Sequence, residues 1–311
     1  MFPDTKFLDQ MGKCNINWIN NNLYEFNPFK NASKIDPLRS KAVVELSFMC
    51  MYYNRCRNVN RDESIQKCID FLLDIVNKPI YREKLIRSPA LLPLYGTVYV
   101  ALRKCGFDDL YLRGMFQSVL DQGYATKVER IGFRKMDLCY LLDCGDFEND
   151  LRPIENLYKE TILSKKPPIL YLLDSDVYSI THTLFYITDF GDRPIPFSLQ
   201  DQLEEVRWLV ATLLGLYLRE NNWDIVGELL LCCICLHWRP PIIYEVAWEG
   251  IMHNQNADGS ISGPSFSSEH LNKLNEKERA SYCFEQNYHT TLVALMACFL
   301  TKTAIIKGEL L

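Results

Sequence analysis

The 311-residue chain has little of what would place it in several common classes. Glycine and proline number 14 each, too few for a collagen-like or low-complexity polymer. Basic residues do not predominate. The 34 Lys and Arg stand against 39 Asp and Glu, a formal net charge of -5, so no broad basic surface is expected to hold a nucleic acid. Alternating strand patterns are scarce. The longest unbroken apolar stretches, such as Leu292 to Leu300, fall short of the roughly 20 residues of a membrane span. The opening MFPDTKFLDQMGK has no apolar run after a basic start, so no secretory signal is expected. The twelve cysteines are therefore expected to be reduced, buried small hydrophobes of a cytoplasmic protein. Their densest group, Cys232, Cys233 and Cys235, lies in the apolar run LLLCCICLHW and reads as a core helix.

What the chain does have is apolar residues at helical spacing. With 48% hydrophobic residues it can build a sizeable core. Helices are expected over 40–57, 62–76, 90–104, 109–121, 134–143, 153–163, 177–189, 199–219, 223–237, 242–253 and 284–300. The class is all-α, and no linker divides the chain, so a single domain over 1–311 is expected. Residues 1–35 read as an N-terminal extension. Residues 254–283 read as a long loop, a lid candidate.

A weak repeat runs through this pattern. LSFMCMYYNRC, YGTVYVALRKCGF, KMDLCYLLDCGDF and THTLFYITDFG are apolar helices with central tyrosines at Tyr52, Tyr99, Tyr140 and Tyr186. Similar intervals lead on to Cys232 and to Val293, with a more amphipathic helix between successive apolar ones. Six apolar helices alternating with amphipathic ones suggest either a closed double ring or an open HEAT-type solenoid. The apolar set is hydrophobic on nearly every side, which favours closure: an (α/α) toroid of about six helical hairpins.

Aligned on their apolar centres, the inner helices carry titratable residues near their starts. His182 lies four before Tyr186, Glu228 four before Cys232, His289 four before Val293 and Asp137 three before Tyr140. Inner helices of a toroid run parallel, so these groups are expected to converge at one mouth. Two imidazoles with carboxylates suit a divalent metal with an open position. Asp224 and Glu228, one turn apart, form a carboxylate pair on one face. Asp174 and Asp176, just before the fourth inner helix, serve either as helix caps or as ligands and acids.

Three segments resemble a known superfamily. Gln255-Asn256-Ala257-Asp258-Gly259-Ser260 looks like the QxxDGS repeat of the terpenoid-cyclase and protein-prenyltransferase toroids. Tyr288-His289-Thr290 resembles the YHT segment of protein-prenyltransferase beta subunits, whose histidine binds zinc. Asp174-Ser175-Asp176 is the nearest match to that family's aspartate and cysteine ligands, with Asp176 in place of the cysteine. Read with Val177, it also resembles in part the DxDD acid motif of squalene-type cyclases, the valine replacing the last aspartate. The whole chain resembles a bacterial branch of this superfamily. The resemblance implies the toroid fold, zinc, and an apolar, isoprenoid-like substrate.

The expectation is therefore an enzyme of natural-product tailoring that acts on an apolar or peptide substrate. Zinc would be held by His182, His289 and Asp176, with Glu228 completing the shell. Asp174, Asp176 and Glu228 would carry the chemistry. Asp137, Tyr186, Trp223, Asp224 and Tyr288 would contact substrate. Two alternatives stand beside it: a helical-repeat binding scaffold without chemistry, and a metal-free cyclase using Asp176 as its acid.

Overall fold

The computed structural model describes residues 3–30, 35–56, 62–88 and 91–310. The described residues form sixteen α-helices and no strand. In chain order they are α1 (Thr5–Asn21), α2 (Pro37–Cys56), α3 (Glu63–Asn77), α4 (Pro79–Arg87), α5 (Leu92–Lys104) and α6 (Leu110–Asp121). There follow α7 (Tyr124–Lys127), α8 (Gly132–Cys144), α9 (Ile154–Tyr158), α10 (Asp174–Ile187), α11 (Phe197–Gln200) and α12 (Leu203–Glu220). The last four are α13 (Trp223–Cys235), α14 (Ile243–His253), α15 (Ser268–Lys273) and α16 (Glu276–Lys307). The expected helix ends at 57 and 90 lie outside the described residues.

Local chemistry explains where these helices start. Asp62 caps α3 by accepting the Ser64 amide, and Ile65, Cys68, Ile69, Leu72, Ile75 and Val76 then fall on one buried face. Asn222 caps α13, whose residues from Asp224 to Cys235 are all buried, as a core helix requires. Asn275 and Glu278 form a capping box at the start of α16, and Gly308 ends it at φ 69°.

Six helices pack in succession: α2 on α5, α5 on α8, α8 on α10, α10 on α13 and α13 on α16, while α16 returns to α2. Flanking helices cover them: α1 on α16, α3 on α2 and α5, α9 on α8 and α10, and α12 and α14 on α13. α16 is long and apolar enough over Glu278–Lys307 to cross a membrane, beyond what its unbroken apolar runs suggested. However, 67% of its apolar window is buried within the fold, as in a core helix.

Towards the C-terminal ends of α2 and α8, and just past that of α10, polar groups join across the apolar set. Tyr52 and Tyr140 meet hydroxyl to hydroxyl at 2.5 Å, and Tyr140 donates to Asp189 Oδ1 at 2.5 Å. Arg55 grips the same residue, pairing with Asp189 Oδ1 at 2.8 Å and donating to its carbonyl at 2.9 Å. Asp189 and Phe190 both take left-handed φ values, 49° and 54°, so this clamp holds a strained turn.

Two expectations change. The N-terminal extension contains α1, which buries Leu8, Met11, Ile16, Trp18 and Ile19. The segment 254–283 is no long loop, since it contains α15 and the first two turns of α16. Its turn is tied down: Gln255 donates to Asn15 Oδ1 at 2.8 Å, Ile261 N–H bonds Thr291, and Gly259 at φ 91° lies against the Cys14 carbonyl. A Cβ at Gly259 would stand 2.2 Å from that oxygen.

Chemical denaturation tests both ties. Arg55→Ala is expected to cost about 1–3 kcal/mol by removing the nearer cation of the Asp189 carboxylate, leaving Arg193 at 3.8 Å, and a loss under about 0.5 kcal/mol contradicts the clamp. Gly259→Ala is expected to cost more than about 1 kcal/mol, because both φ and the close approach exclude a side chain.

Candidate functional site

At the opposite ends of the apolar helices four of them bring titratable side chains together. α2 supplies Glu45, α10 supplies Tyr178, Thr181 and His182, α13 supplies Asp224 and Glu228, and α16 supplies His289. Spacings of three and four residues along α10, and of four along α13, place the groups of each helix on one face. Asp224 and Glu228 are almost wholly buried, at 5% and 2% exposure.

His289 is held from both sides. Its Nδ1 is 2.8 Å from Glu45 Oε2. Its Nε2 is 3.2 Å from Asp224 Oδ1 and 3.6 Å from Glu228 Oε1. His182 Nε2 stands 3.6 Å from that same Glu228 Oε1. The remaining carboxylate oxygens are occupied: Tyr178 donates to Asp224 Oδ2, and Thr181 to Glu228 Oε2. The Tyr186 hydroxyl lies 3.3 Å from His182 Nδ1 and also bonds the Asp137 carboxylate. Phe133 and Phe185 flank the His182 ring.

The electrostatics are strained in one direction. Burial alone would strip the proton from His289, yet Asp224, Glu45 and Glu228 outweigh it and hold its pKa well above the usual imidazole value. Burial also opposes ionisation of Glu228, but His182 and His289 keep its carboxyl far below the usual carboxylate range. Asp224 goes the other way: burial, aided by the nearby Glu228, pushes its pKa up despite His289. Three carboxylates thus face two imidazoles, and Asp224 Oδ1 is buried without a hydrogen bond.

The sequence-predicted residues divide into those in this cluster and those outside it. His182, His289, Glu228 and Asp224 come together, with Asp137 and Tyr186 behind His182. Tyr288 is buried beside His289 in a stack with Phe284. Trp223 is not in the wall, since its ring packs on Gly250 of α14. Asp176 is spent on the start of α10, where it accepts the Leu173 amide at 3.0 Å, and Asp174 is exposed and accepts the Tyr217 hydroxyl at 2.6 Å. The DSD segment therefore caps and ties down a helix. Glu45, Tyr178 and Thr181 are additions. A cavity of about 430 Å³ lined by Tyr158, Lys159, Phe197 and Gln202 includes none of these groups.

Among the described residues no group of three or more His, Cys, Asp or Glu side chains is arranged to hold a metal ion, and the contacts above are ion pairs. The donors nevertheless suit a divalent cation. Bonds of about 2.0–2.2 Å in a tetrahedral zinc site separate neighbouring ligand atoms by about 3.3–3.6 Å. The contacts His182 Nε2–Glu228 Oε1, His289 Nε2–Glu228 Oε1 and His289 Nε2–Asp224 Oδ1 measure 3.6, 3.6 and 3.2 Å. Asp224 Oδ1 accepts no hydrogen bond and has only its ion-pair contact with His289, and the three carboxylates outnumber the two imidazoles.

Residues 13–299 match the family described as a domain of unknown function, DUF6895, and the chain belongs to that family. No curated protein and no solved structure matches the chain.

Metal-free protein offers a direct check on these ion pairs. Glu228, with its folded pKa lowered, contributes stability present above the unfolded value of about 4.3 and lost as pH falls through the folded one. His289, with its folded pKa raised, contributes stability that is full below about 6.5 and lost as pH rises through the folded value. Unfolding free energy in chelator is therefore expected to peak near about pH 5–6.5, with a decline between about pH 6.5 and 8, below the range where the buried Cys and Tyr add theirs, that is absent in His289→Gln. A decline of equal size in that variant contradicts the pairing.

Proposed function

We propose that the chain is a metal-dependent enzyme in which the six apolar helices close as the inner ring of an α/α toroid. His182 Nε2, His289 Nε2 and Glu228 Oε1 would hold a divalent cation, with zinc suited to a four-coordinate set of imidazole and carboxylate donors. Asp224 Oδ1 would face the remaining position. One observation carries the proposal: two imidazoles and two buried carboxylates from three helices meet at ligand-to-ligand spacing, with Asp224 Oδ1 in ion-pair contact with His289 but accepting no hydrogen bond. The packing of α16 back onto α2 supports the closed ring.

A zinc ion so held polarises a carbonyl or activates a bound water or thiol. The chain's own residues set the conditions. Tyr178 and Thr181 fix the carboxylates by their second oxygens, and Phe133, Phe185 and Tyr186 narrow the approach around His182. These aromatic rings favour a small apolar or peptide substrate, and the setting proposed is natural-product tailoring. Asp176 has no part in this scheme, because its carboxylate is a helix cap.

Elemental mass spectrometry on protein purified without a histidine tag tests the proposal. Near-stoichiometric zinc is expected, and it should fall to background in the His182→Ala/His289→Ala double variant while the far-ultraviolet helical signal persists. Metal-free protein that also takes up no added zinc would favour a binding scaffold instead.

A further inference from the structure

Each group around the proposed ion has one atom facing inward and a second atom held from outside, and the hold on His289 differs from the rest. Tyr178 and Thr181 are neutral hydroxyls on Asp224 and Glu228, and Tyr186 is a neutral hydroxyl at His182. His289 alone has a carboxylate at its outer nitrogen, Glu45 Oε2 at 2.8 Å from Nδ1. The contact joins α2 to α16, residues separated by 244 positions, so it exists only because the last inner helix returns to the first. Glu45 is itself steadied by Lys41 at 3.4 Å, an exposed cation one turn earlier.

We propose that Glu45 is the positioning residue of the metal centre: it accepts a hydrogen bond from the Nδ1–H of His289, so that Nε2 is left as the ligand and the ring is fixed toward Asp224 and Glu228. This rests on the metal-centre proposal above. The physics is that of an outer carboxylate on a metal-bound imidazole. The acceptor selects the tautomer, holds the ring plane and, being charged, increases the electron density that the ligating nitrogen can donate. A neutral acceptor would keep the first two effects and lose the third. No acceptor would lose all three, leaving an imidazole able to present either nitrogen.

The test measures zinc affinity by competition with a chromophoric chelator for wild type, Glu45→Gln, Glu45→Ala and His289→Ala. A second readout uses the cobalt-loaded proteins, in which the N–H proton of a ligated histidine gives a shifted, exchangeable proton resonance. Glu45→Ala is expected to weaken zinc binding by about 10–100-fold, the range for loss of an outer-shell partner, and to speed exchange of that proton. Glu45→Gln should fall between Ala and wild type and restore slow exchange, a rescue that a merely structural glutamate would not give. Wild-type affinity and slow exchange in Glu45→Ala, with binding lost in His289→Ala, overturn the role of Glu45 and leave the metal centre standing. Failure of wild type itself to bind zinc or cobalt overturns the centre, and the role of Glu45 with it.

Discussion

Three carboxylates, Glu45, Asp224 and Glu228, are held against two imidazoles where four largely apolar helices begin to pack together. Burying that much negative charge is unfavourable unless something answers it. Part of the answer is visible in hydrogen bonds: Tyr178 and Thr181 cover one oxygen of each buried acid, and His289 stands between all three carboxylates. Part is incomplete: Asp224 Oδ1 lies 3.2 Å from His289 Nε2 but accepts no hydrogen bond, and three carboxylates face two imidazoles. A divalent cation would supply the missing charge and bond the open oxygen at once. That is the physical case for the proposed metal centre.

Holding such a cluster needs a frame that does not relax around it, and the other end of the apolar helices provides one. There Tyr52, Tyr140, Asp189 and Arg55 tie α2, α8 and the turn after α10 together, and every link is a completed hydrogen bond or ion pair. The two ends therefore differ in kind. One is satisfied and strained only in its backbone, which suits a floor. The other keeps an unsatisfied oxygen and partly exposed imidazoles, which suits a site open to ligand.

Much of this was legible in the sequence, and what was not has physical causes. Apolar spacing found the six helices that pack in succession, because each carries a run of buried apolar residues with little polar interruption. α1 was hidden because its buried face includes Asn15 and its sequence is crowded with asparagine, although Gln255 makes that residue a partner. The pairing of His182, Glu228 and His289 followed from counting four residues back from each helix centre. Glu45 escaped the same count because it lies seven residues before Tyr52, one turn further up. Trp223 was assigned to the wall beside Asp224, yet one residue on a helix is about 100° of rotation, enough to turn it outward onto Gly250. Asp174 and Asp176 drew attention as acids, whereas carboxylates just inside a helix start usually serve the backbone there.

The most direct measurement is X-ray absorption at the zinc edge on the purified, zinc-loaded protein. The account requires a first shell of two imidazole nitrogens and carboxylate oxygen at about 2.0–2.2 Å, with the outer-ring scattering that imidazoles give. A shell containing sulfur at about 2.3 Å would place the metal on cysteines instead, and one without imidazole scattering would remove His182 and His289 as ligands. Either result would contradict the centre described here.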